Sequence, residues 1–185
     1  MRIETYKPRN ATFCAYDPRV VAVAQRIAAA IQSRWPELRI EHVGSTSVPG
    51  CGGKGIVDLA VLYPDGTVAR ARQVLDDLGF QKQRERENFP ETRPMRVGAC
   101  TLDGHNYRIH AHVIAVGSDE HIELVRFRDR LRADARLSRQ YEERKREILA
   151  SGVTDAQDYC KAKGVFIQEA LISNNSDSGS SKKVN

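Results

Sequence analysis

The sequence predicts a mixed α+β fold, and three observations carry that expectation. Apolar residues recur at helical spacing near the start, and a nearly continuous apolar run follows a glycine-rich segment. An Asp-Gly turn then separates two alternating stretches ahead of three further helical segments. Helices segregated late, behind a strand-rich middle, mark an α+β arrangement rather than repeated βαβ units.

The elements follow in order. Asp17-Pro18 supplies an N-cap and a proline at the first helical position, and Val20, Val23, Ala24, Ile27 and Ile31 then form one helical stripe up to Trp35-Pro36. Leu38 to Val43 reads as a short strand, and Gly44 to Gly55, with five glycines and one proline, as a loop or turn. The run Ile56 to Tyr63 fits a central strand covered on both faces. Thr67 to Leu78 is a helix ended by Gly79. Arg96 to Leu102 and Asn106 to Ile114 flank Asp103-Gly104 as a hairpin with a loop of two or more residues. Ser118 opens a helix carrying Ile122, Val125 and Leu131. The next runs from Asp134 to Ala150 with Leu137, Tyr141 and Ile148 inward and closes at Gly152. Thr154 with Gln157 makes a capping box for the last, where Tyr159, Ala162 and Phe166 face inward.

Composition bounds the function. With 185 residues, 41% apolar and 29% charged, the chain has the makeup of a water-soluble globular protein. One domain is expected over residues 1–172, with 173–185, dominated by serine and asparagine, as a disordered tail. No apolar stretch approaches the ~20 residues of a membrane span, and Met1-Arg2-Ile3-Glu4 leads into no signal segment, so a cytoplasmic location without membrane contact is expected. Lys and Arg total 29 against 24 Asp and Glu, a balance of +5 that favours anionic ligands. Cys14, Cys51, Cys100 and Cys160 form no C-x-x-C pair, which excludes a zinc knuckle or a thioredoxin-type site. The sequence leaves oligomeric state open.

Three segments carry chemistry. Val43-Gly44-Ser45-Thr46 takes a strand directly into bare backbone amides and small hydroxyls, a cradle for phosphate oxygens to which Lys54 adds charge; the alternative is a plain glycine-rich turn. Asp58 lies inside an apolar strand, where a carboxylate needs a counterion, either a salt bridge or a metal ion. In Tyr107-Arg108-Ile109-His110-Ala111-His112-Val113, strand alternation puts Arg108, His110 and His112 on one face. Two imidazoles two residues apart suit a transition metal or a hydrogen-bonded histidine pair.

Together, Tyr16-Asp17-Pro18-Arg19, Ile40 to Gly50, Lys54, Val57-Asp58-Leu59 and His110-Ala111-His112-Val113 resemble the GrpB family of small bacterial proteins. The likeness continues through Phe127 to Arg132, Tyr141, Lys161-Ala162-Lys163 and Phe166-Ile167. It implies a nucleotidyltransferase-like mixed β-sheet with helices packed on one face and a helical C-terminal part. In nucleotidyltransferases a Gly-Ser turn holds the β- and γ-phosphates, and an Asp-x-Asp or Asp-x-Glu strand binds two divalent ions. Gly44 and Ser45 match the turn and Asp58 the first carboxylate, but the second position is Ala60, and His110 with His112 stands where a later carboxylate belongs. That donor set suits Mn²⁺, Zn²⁺ or Fe²⁺ better than Mg²⁺, and the expected cofactor is a divalent metal, with Mn²⁺, Zn²⁺ and Mg²⁺ left open.

Between Arg126 and Arg146 lie nine basic and four acidic residues. A solvated, ion-paired helix face is the expectation and nucleic-acid binding is not, because no aromatic residues interleave for base stacking. Arg128 and Arg132 share a face and, turned toward Gly44-Ser45, would grip a polyphosphate. The expected function is binding of a nucleoside triphosphate or another phosphorylated small molecule. The resemblance implies transfer of the nucleotidyl group to an acceptor hydroxyl with release of pyrophosphate, with Asp58 as the catalytic residue, Gly44, Ser45, Thr46, Lys54 and Arg128 on phosphates and a divalent metal on Asp58, His110 and His112. The alternatives are a non-catalytic module linked to coenzyme A metabolism, as the resemblance implies, and a metal-dependent phosphoester hydrolase.

Overall fold

The computed structural model describes residues 2–83, 89–153 and 156–172. The first helix, α1 (Val20–Gln32), buries Val20, Val23, Ala24, Ile27 and Ile31, the stripe its sequence periodicity predicts. The Asp17 carboxylate accepts the Arg19 backbone N–H at 3.0 Å, so it caps the turn that leads into the helix. Two antiparallel strands follow, β1 (Arg39–Val43) and β2 (Ile56–Tyr63), then α2 (Val68–Asp77). Strand β3 (Gln81–Lys82) was not expected: two polar residues on a sheet edge carry no periodicity. Strands β4 (Met95–Leu102) and β5 (His105–Ala115) form the expected hairpin, with Leu102 paired to His105. Its loop is therefore only Asp103-Gly104, both at positive φ, the conformation that an Asp-Gly pair adopts readily. Helices α3 (Asp119–Ala133), α4 (Ala135–Ala150) and α5 (Ala156–Ile172) complete the α+β fold. Ser118 caps α3 and Asp134 caps α4. The Thr154 capping residue and the segment 173–185 lie outside the described residues.

The sheet runs β1-β2-β5-β4-β3, and only the β2–β5 junction is parallel. Because strand side chains alternate, Val57, Leu59 and Val61 of β2 share one face with Ile109, Ala111 and Val113 of β5, packed under α1 and α2. The opposite face carries Asp58, Ala60, His110 and His112, with Ala60 forming a small cluster with Val43, Leu62, Ile114 and Leu124 of α3. Ile122, expected among the apolar residues of α3, is 45% exposed, because His121, Phe127 and Leu131 take the inward side.

The three last helices build a second apolar cluster around Tyr141, which meets Phe127 edge-on at 5.1 Å and stacks on Phe166 at 5.4 Å. Val48 and Cys51 are buried in this cluster, so the glycine-rich segment is anchored to the helices as well as to the sheet. Within it, Ser45–Ser47 forms a single 3₁₀ turn. No helix among the described residues is long and apolar enough to cross a membrane.

Candidate functional site

A cavity of roughly 340 Å³ opens between the sheet face that carries Asp58 and the helical cluster, within the size range of small-molecule sites. The parallel junction sets its floor: Asp58 lies opposite His110 in register, and Ala60 opposite His112. One Asp58 carboxylate oxygen stands 3.6 Å from His110 Nδ1 and 3.6 Å from His112 Nε2. All three ligand atoms lie within 4.8 Å of one another. Gly44, Ser45 and Lys54 line the same cavity, so the segments singled out in the sequence converge.

Burial works against the Asp58 carboxylate, but His112, His110 and Lys163 outweigh it and hold its pKa down at about 2. Burial also holds His110 down to about 4, so at neutral pH its ring is uncharged and has a lone pair to offer. Its Nε2 lies 3.2 Å from the Tyr6 hydroxyl, which leaves Nδ1 facing Asp58.

Two expected phosphate ligands are committed elsewhere. Thr46 is buried, and its hydroxyl donates to the Ile56 carbonyl at 2.9 Å. With its one hydrogen so used, it accepts from His42 Nε2 at 3.0 Å, and thus ties the loop to β1 and β2 rather than facing the cavity. Arg128 also lies outside the cavity lining: its guanidinium donates to Glu41 at 2.9 Å and to Asp129 at 2.7 Å. Arg132 places two donors on the Ser47 carbonyl, at 3.0 and 2.8 Å, and so braces the loop. Glu41 also pairs with Arg39 at 2.5 Å, and His42 lines a different, larger cavity beside α1.

Two cations of the cavity are residues to which the sequence alone assigns no role in a site. Lys145 of α4 and Lys163 of α5 join Lys54 in its wall. Each helical lysine lies one turn beyond a tyrosine, in Tyr141-x-x-x-Lys145 and Tyr159-x-x-x-Lys163, and that repeated spacing was the available signal. Lys145 Nζ sits 4.4 Å from the centre of the Tyr141 ring, and Lys54 Nζ 4.5 Å from that of Tyr159. Lys145 is buried, donates to the Gly52 carbonyl and lies 3.3 Å from Cys51 Sγ. Burial lowers the pKa of Lys145, and burial with the charge of Lys163 lowers that of Lys54. An anion seated among these three ammonium groups would relieve both strains.

Stability should be sensitive to acid here. Burial holds His42, like His110, down to about 4. Above pH ~6.5 neither state of the chain protonates these rings; between ~6.5 and ~4 the unfolded chain takes up protons that the folded one refuses. Stability is therefore expected to fall as pH drops through that window, by up to about 1.4 kcal/mol per pH unit for each histidine. Urea melts of chelator-treated protein at pH 7, 6 and 5 measure it, and a constant midpoint would contradict the assignment.

Comparison with known proteins shows the family. The family model described as GrpB protein matches residues 10–172. A UPF0157 protein of Halalkalibacterium halodurans is 34% identical over 169 residues, covering 89% of this chain and 84% of that protein. One from Pseudomonas aeruginosa is 34% identical over 158 residues, and the match spans 85% of this chain but 63% of the Pseudomonas protein. The crystal structure of the conserved protein GrpB from Enterococcus faecalis superposes with a TM-score of 0.62 at 18% identity, over 86% of this chain and 99% of that one. With one family pattern running through nearly all the described residues and the same fold in a solved relative, the chain belongs to the GrpB family.

Proposed function

We propose that the cavity binds a nucleoside triphosphate together with one divalent cation and that the protein transfers the nucleotidyl group. The observation that supports this reading is the convergence of Asp58, His110 and His112 with Ser45, Lys54, Lys145 and Lys163 in one small cavity. Two imidazoles and a carboxylate fit Mn²⁺, Zn²⁺ or Fe²⁺; they do not fit a pair of Mg²⁺ ions, which need more oxygen ligands. Ala60 offers none, and Glu41, its cross-strand partner, is taken up by arginines. A cation held by these residues would act as a Lewis acid toward a phosphoryl oxygen. The chain's own groups do the remaining work. The lysines neutralise phosphate oxygens, the loop at Gly44-Ser45 presents backbone and hydroxyl without steric bulk, and Tyr6 keeps His110 oriented.

Thermal unfolding tests this proposal. Mn²⁺ with the best of the four common triphosphates, at about 100 times its Kd, is expected to raise the Tm by roughly 5–10 °C. No shift with any triphosphate across Mn²⁺, Zn²⁺ and Mg²⁺ would overturn it. The lone carboxylate favours a second reading, hydrolysis of a phosphoester. Release of orthophosphate instead of pyrophosphate would identify it, and tight binding without turnover would identify a binding module.

A further inference from the structure

The cavity changes character along the β2–β5 junction. At the end where Ile56 meets Arg108, Lys54 and the two helical lysines gather on Tyr141 and Tyr159. Asp58 and His110 come next along the strands, then His112, which pairs across β5–β4 with Met95. Beyond that point the walls turn apolar. The Phe89 ring meets the His112 ring edge-on at 5.9 Å, and Met95 and Leu124 also border the space. The arginine at this end, Arg93, is neutralised by Glu120 at 2.5 Å. Into the same lining comes Gln83, whose side-chain oxygen is buried and has no hydrogen-bond partner among the described residues. An amide oxygen withdrawn from water and left without a donor is unfavourable, and a ligand N–H placed there would remove the penalty.

We propose that Gln83 is the residue by which this cavity recognises a nucleobase. The occupant is a bipolar molecule, with phosphates on the lysines and a flat ring at the Phe89–Met95 end that donates an N–H to the Gln83 oxygen. A nucleoside polyphosphate has that shape; an inorganic polyphosphate or a sugar phosphate lacks the ring. This inference rests on the phosphate-binding reading above, and the experiment separates the two.

Calorimetric titration of the full chain with Mn²⁺ present compares inorganic tripolyphosphate with each of the four nucleoside triphosphates. In the unaltered protein the best nucleotide is expected to bind at least about tenfold more tightly than tripolyphosphate. Gln83→Leu should remove that preference while leaving tripolyphosphate affinity within about twofold, which also reports an intact fold. Gln83→Glu keeps an acceptor oxygen and should retain the preference. Equal affinities for nucleotide and tripolyphosphate in the unaltered chain, or a preference untouched by Gln83→Leu, would overturn the role of Gln83 and keep the phosphate site. Binding of neither probe would overturn both.

Discussion

Asp58→Asn is expected to lower the affinity for Mn²⁺ or Zn²⁺ by at least about 100-fold and to abolish any metal-dependent turnover. Asparagine keeps the volume and one oxygen, so the change isolates the charge. That charge matters because His110, held at about 4, is neutral at physiological pH, and Asp58 brings the anion to the three-residue ligand set. It also stands opposite Lys163, whose pKa is raised chiefly by Tyr141, with Asp58 among the lesser contributors. Metal content of protein purified without chelator, followed by titration of the stripped protein, measures the effect. His110→Ala with His112→Ala removes both imidazoles and should give the same loss. An Asp58→Asn protein that retains a full complement of metal would show that the cation sits elsewhere.

Gly44→Ala is expected to disrupt both the loop and the candidate metal site. Gly44 has φ +68° and ψ −174°, a combination that only glycine adopts readily. A Cβ added there would lie 2.5 Å from Asp58 Oδ2, so the turn and the carboxylate could not both stay in place. Backbone strain and the clash together should cost about 3 kcal/mol or more, a fall in Tm of roughly 6–12 °C for a chain of this size. Gly66→Ala makes the control. Its φ is similar at +75°, but a Cβ there meets nothing within 4 Å, so only strain is added. If both variants lose stability equally and both keep metal affinity, contact with Asp58 has no part in the effect.

What the sequence revealed and what it hid follow from the same physics. Strand β2 and helix α1 were legible because burial dictates their residues: one lies between two layers and the other buries a single stripe. Asp58 stood out because a carboxylate does not belong in such a strand without a partner. The inner side of α3 was harder to read because a polar residue occupies it: His121 is buried, accepts the Gly117 N–H through Nδ1 at 3.1 Å and turns Nε2 toward Glu41. For Thr46 the sequence offers a hydroxyl in a glycine-rich loop, and for Arg128 a guanidinium sharing a helix face with Arg132, both suited to a phosphate by type and spacing. Type does not disclose that the Ile56 carbonyl, or a glutamate on the neighbouring strand, has already claimed the donor. Lys145 sits inside a strongly basic stretch and Lys163 is marked only by the family likeness, and nothing but their spacing from Tyr141 and Tyr159 sets either apart from solvated neighbours.

The parallel seam between β2 and β5 has one more consequence, for the order in which the molecule comes into being. Hairpins zip locally, but parallel neighbours meet only after a long crossover closes, and such closures are the slow part of folding. The crossover from β2 to β5 passes through α2, β3 and β4, so a nascent chain emerging from the ribosome presents Asp58 long before the strand that carries His110 and His112 exists. The ligand trio is thus created by the last of the sheet's central pairings, and a truncated product ending ahead of β5 would be blind to cations however well its earlier portion had condensed.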